Sequence, residues 1–117
     1  MEFSIYDQEY WDCKDQFRAT FEQLSREFVE ELEFSKDTKS KYAELLWWLT
    51  EYLYSYTNYL EIKTIKPGDV VSRFYNYARY DFTFPSAYKK YLLRFFLYLE
   101  ERGYENQKVV QHLKKIT

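Results

Sequence analysis

The sequence predicts an all-α fold, a compact bundle of four to five helices in one domain spanning residues 1–117. Three observations predict it. Apolar residues return every three or four positions through most of the chain, which is the spacing of one helix face. Only two Gly and two Pro interrupt 117 residues, so the connections are short. Aromatic residues reach 23%, with 14 Tyr, and tyrosine suits half-buried helix positions where the ring is inside and the hydroxyl is wet.

The first helix is expected over Asp7 to Phe34. Phe17, Phe21, Leu24, Phe28 and Leu32 form its stripe, and Glu27, Glu30, Glu31 and Glu33 flank it as a solvated face. Residues 1–20 of the chain read as an acidic N-terminal extension of this helix. The second helix is expected over Lys36 to Thr57, capped by Ser35 or Asp37, whose side chains accept from open backbone N–H groups. Tyr42, Leu45, Leu46, Leu49, Leu53 and Tyr56 make its buried stripe. Trp47 and Trp48 cannot both lie on it, because neighbours are ~100° apart on a helix. Leu60–Ile65 also admits a strand-like reading, with no partner strand in sight.

A third helix follows Pro67-Gly68-Asp69, with Asp69 as cap and Val70, Val71, Phe74, Tyr77 and Ala78 inward. Pro85 then biases Phe84 away from helical geometry. The fourth helix runs from Ser86 to Arg102 and stops at Gly103, with Tyr88, Leu92, Phe95, Phe96 and Leu99 in the core. The last is Asn106 to Ile116, capped by Asn106, burying Val109, Val110, Leu113 and Ile116.

Several chemistries have no residues to carry them. One Cys, Cys13, forms no internal disulfide and fits a reducing cytoplasm. One His, His112, supports neither a histidine metal site nor a nucleophile–base pair. Glycines at 68 and 103 do not make a phosphate loop. The carboxylates spaced at helical intervals are read as a solvated face. The apolar run Leu45–Leu49 is far too short to span a bilayer, and the N-terminus lacks a signal-peptide pattern. The expectation is a cytoplasmic protein without enzyme activity of its own, without cofactor and without membrane contact.

Charge is unevenly placed. Residues 1–34 carry ten acids against three bases, and residues 35–117 carry nine acids against fourteen bases, for a net charge of −2. The bases gather at two places, Lys36, Lys39 and Lys41 at the start of the second helix and Lys89, Lys90 and Arg94 on the fourth. A basic surface in an otherwise acidic chain points to a polyanionic partner. Three lysines at a helix start also oppose the helix dipole, so an anion there would relieve a small cost.

From Leu24 onward the order of motifs is more specific. Ser35, Thr38 and Tyr42 form Ser-x-x-Thr-x-x-x-Tyr at a helix start, followed by Leu45, Leu46 and Leu49. Ile65 and Asp69-Val70 open the next element. Ser86 begins a helix that ends with Arg94, Phe96, Tyr98 and Leu99 before Gly103 and Asn106. This series, about 85 residues long, resembles the N-terminal core-binding domain of tyrosine recombinases and phage integrases, a SAM-like helical domain, here residues 21–117. The resemblance implies double-stranded DNA as partner, clamped between this domain and the catalytic domain of a parent recombinase. It implies that the second and fourth helices cross the major groove, and that molecules self-associate on DNA. The DNA-contacting residues would be Lys36, Thr38, Lys39, Ser40, Lys41, Ser86, Lys89, Lys90 and Arg94. The hydroxyls of Thr38, Ser40 and Ser86 would donate to phosphate, and such contacts position a protein without reading sequence. The family's catalytic set of Arg, His-x-x-Arg and Tyr is not present; Lys115 stands three residues after His112. The competing expectation is a helical protein–protein or dimerisation module that uses the acidic first helix and the tryptophans.

Overall fold

A computed structural model describes residues 7–117. Residues 1–6, the beginning of the acidic stretch, lie outside the described residues. Among the described residues six α-helices follow in order: α1 (Gln8–Glu31), α2 (Lys36–Tyr56), α3 (Pro67–Val70), α4 (Ser72–Ala78), α5 (Tyr88–Glu101) and α6 (Gln107–Ile116). Among the described residues there is no strand, so the all-α bundle is the fold. The Leu60–Ile65 segment holds a 3₁₀ turn at Ile62–Thr64 instead of extended chain.

The long helices α1 and α2 pack antiparallel across a short connection, and α5 lies against α1. Their shared core is aromatic: Phe21 and Phe28 of α1 meet Phe95 of α5 at ring distances of 5.5 and 5.3 Å. Helix α6 closes the other side of α5 and also touches α3. Val109, Val110 and Leu113 are buried there, whereas Ile116, at the exposed end of α6, is not. The amphipathic stripes therefore do in three dimensions what their spacing implies, since each buried face meets another.

The ends of the elements follow local chemistry. Ser35 caps α2 by accepting from the Thr38 N–H at 3.3 Å. Gly103 takes φ +88, and the Tyr104 N–H reaches back to the Leu99 carbonyl at 2.8 Å, so α5 ends in a glycine turn. Asp69 is not a cap. Pro67 occupies the first turn of α3, where its missing N–H costs nothing. The Asp69 carboxylate instead accepts from Tyr52 at 2.7 Å and from Tyr59. Burial and this carboxylate both push the Tyr52 phenol up, so it stays a neutral donor. α3 and α4 are one interrupted helix, broken at Val71.

Residues 8–20 are continuous with the rest of α1 and help build the domain. Tyr10, Lys14 and Phe17 are buried there. Arg18 pairs with Glu22 on its own helix and with Glu51 of α2. Among the described residues no helix is long and apolar enough to cross a membrane.

Candidate nucleic-acid interface

The two lysine-bearing segments come together through an aromatic stack. Tyr42, in the second turn of α2, is fully buried and stacks on Tyr91 of α5 at 3.9 Å and on Phe34 at 5.9 Å. Its hydroxyl accepts from the Arg94 guanidinium at 2.6 Å, and the same guanidinium lies 5.5 Å from the Phe34 ring centroid. Arg94 thus joins the start of α2 to the middle of α5, with its remaining N–H groups at the surface. Lys90, one helical turn before it, is exposed.

The cations differ in what they already hold. Lys39 Nζ donates to the Glu30 carbonyl at 3.2 Å, at the negative end of α1. Lys41 pairs with Asp37 at 3.5 Å in an open, weak bridge. Thr38 accepts from the Ser35 hydroxyl at 3.1 Å, which makes it part of the cap. The unfavourable placement of three lysines at a helix start is therefore partly relieved inside the chain. Lys36, Ser40 and Lys90 are exposed and make no side-chain hydrogen bond or ion pair with the described residues.

Ser86 and Lys89 fall elsewhere. Helix α5 begins at Tyr88, so Ser86 sits in the preceding turn. Lys89 Nζ lies 5.8 Å from the centroid of Tyr88, a ring that lines a depression formed by the 82–88 segment and α4, while Lys89 itself is outside the lining. Sequence reasoning passed over Tyr75, Arg79 and Thr83, which line that depression with Ser86. Their signal is a run of tyrosines interleaved with Arg79, Lys89 and Lys90 from Tyr75 to Tyr91.

The tryptophans separate cleanly. Trp48 packs on Tyr77 and Phe82, whereas Trp47 is 55% exposed beside a groove of about 370 Å³ between α1 and α2. No family model, curated protein or solved structure matches the chain.

Proposed function

We propose that the chain is the DNA-binding module of a site-specific tyrosine recombinase or integrase, holding duplex DNA while catalysis lies in a separate domain. The observation that carries this reading is the basic edge formed where α2 begins beside α5. There the Phe34–Tyr42–Tyr91 stack holds Arg94, and Lys36 and Lys90 are exposed on the same two helices. The order of motifs that resembles the core-binding domain gives it a second support. Lys36 and Lys90 make the phosphate contacts, and Arg94 is held in place to extend its free N–H groups outward.

Duplex titration across salt concentrations tests this. Affinity falls as salt rises, and Lys36→Ala or Lys90→Ala each lowers the slope by about 0.9. Lys39→Ala changes it less, because that ammonium already serves the Glu30 carbonyl. No affinity at low salt, or a slope indifferent to Lys36 and Lys90, refutes the reading.

One observation favours a protein-binding module instead. The exposed Trp47 indole flanks an apolar groove edged by Glu22, Arg26 and Glu30. Sedimentation of the free chain decides between them. A tight oligomer that ignores DNA, and that Trp47→Ala dissociates, favours the second reading.

A further inference from the structure

The depression between α4 and the turn into α5 is lined by aromatic rings, hydroxyls and one guanidinium. Its floor is Phe84, whose ring lies 5.0 Å from Tyr75 and 4.8 Å from Tyr88. Tyr75 and Tyr88 are nearly parallel, 19° apart at 6.0 Å, and Tyr75 is 37% exposed. At the margin, the Arg79 guanidinium lies 4.7 Å from the Tyr80 ring centroid and donates to the Tyr80 hydroxyl at 2.6 Å, with Tyr80 78% exposed. Thr83 and Ser86 add hydroxyls to the lining. Lys89, next in sequence to Tyr88 and outside the lining, lies 5.8 Å from its ring centroid. The lining holds a guanidinium and no carboxylate; Asp81, in the same turn, is exposed but lies outside it.

Flat aromatic faces beside cations and hydroxyls suit one kind of ligand group, a planar base carrying a phosphate. The volume of about 380 Å³ is within the ~300–1,000 Å³ of small-ligand sites. A paired, stacked base has both faces covered and gains nothing from such a platform. An unpaired base does gain, because stacking on aromatic side chains is indifferent to base identity. Arg79 keeps four of its five N–H donors beyond the one given to Tyr80, so it can still take a phosphate oxygen.

We propose that this depression captures an unpaired base of single-stranded DNA, with the base on Tyr75 and Tyr88 and its phosphate on Arg79 and Lys89. The proposal rests on the DNA-binding reading and sharpens it, since it adds a preference for DNA opened next to the duplex held by the α2–α5 edge.

Fluorescence anisotropy on the full chain separates the two ideas. The probes are a labelled duplex with a short central run of unpaired thymines, the same duplex fully paired, and an RNA version of the opened probe. The wild type binds the opened DNA about tenfold more tightly than the paired DNA. Tyr75→Ala abolishes that preference and leaves paired-duplex affinity unchanged, and Tyr75→Phe retains it. Arg79→Gln lowers the salt slope on the opened probe alone. Equal binding of opened and paired DNA, or a preference that survives Tyr75→Ala, overturns the inference while the duplex reading stands. Tighter binding to RNA than to DNA overturns the choice of ligand. Failure to bind any probe at low salt overturns both. Unchanged thermal unfolding of Tyr75→Ala and Arg79→Gln, whose side chains are at the surface, shows that the differences are not due to misfolding.

Discussion

Asn106→Ala lowers folding stability by about 2–4 kcal/mol, a large part of the ~5–15 kcal/mol that holds a domain together. Asn106 is buried, and its carboxamide does three things at once. Its Oδ1 accepts from the Val109 N–H at 3.1 Å and so starts α6. Its Nδ2 donates to the carbonyls of Ile62 and Ile65, both at 2.8 Å. Losing the cap costs about 1 kcal/mol. The Ile62 carbonyl keeps its turn bond from the Ile65 N–H, so its loss is modest. The Ile65 carbonyl is left inside without a donor, which costs about 1–3 kcal/mol. Urea denaturation of three variants separates these contributions. Asn106→Ser keeps a capping oxygen and loses both donations, so it recovers only the capping part. Asn106→Asp also keeps the cap but turns a carboxylate oxygen toward two carbonyls, and is at least as damaging as Ala at neutral pH. An Asn106→Ser variant as stable as the wild type would falsify this account, because then the two carbonyls need no donor.

Asn106 also marks how far sequence reasoning reaches. An Asn after a Gly and before an amphipathic run signals a helix start, and the Val109 bond is that signal realised. The donations to Ile62 and Ile65 cross 44 and 41 residues and leave no local trace. The same division runs through the fold. The stripes of α1, α2, α5 and α6 were legible because burial on one face imposes a period. They failed at Tyr56 and Ile116, which continue the period past the point where a neighbouring element covers them. Asp69 looked like a cap because it precedes an apolar run. Its carboxylate is taken by two tyrosine hydroxyls from before the turn, and Pro67 starts the helix.

At the candidate interface the cations were legible and their partners were not. Lys39 is tied to a backbone carbonyl and Lys41 to a carboxylate four residues earlier. Only the second lies at a spacing visible in sequence. Arg94, expected as a DNA contact, belongs to core and surface at once, with a hydroxyl and an aromatic face holding one side of a guanidinium whose other side meets solvent.

Lys14 was counted among three bases in an acidic stretch, and nothing local sets it apart. It is fully buried, and its Nζ donates at 2.9 Å to the carbonyls of Leu53, in the last turn of α2, and of Tyr59, just beyond it. Two acceptors match the two protons of a neutral amine; the third proton of an ammonium has the Phe17 ring, whose centroid is 5.2 Å away. Burial accordingly lowers the Lys14 pKa from 10.5 to about 8. Between these values the unfolded chain holds a proton that the folded chain has released. Folding stability therefore rises with pH from about 8 upward, which is the sign required when the unfolded state binds more protons. Burial raises the phenols of Tyr10, Tyr52 and Tyr59 above 10.0, so past that pH the unfolded chain loses protons first and stability falls again. The expected profile climbs above neutrality and turns over near the ordinary tyrosine range. Lys14→Met removes the climb and keeps the fall. It also leaves the Tyr59 carbonyl without its donor, whereas the Leu53 carbonyl retains the Thr57 hydroxyl. The net cost is about 1–3 kcal/mol at neutral pH and grows as pH rises through the Lys14 titration. Urea midpoints of both proteins measured from neutral pH into the tyrosine range test this. A wild-type profile that stays flat over the Lys14 window, or a Met variant that climbs in parallel with it, would mean that the ammonium is retained in the core.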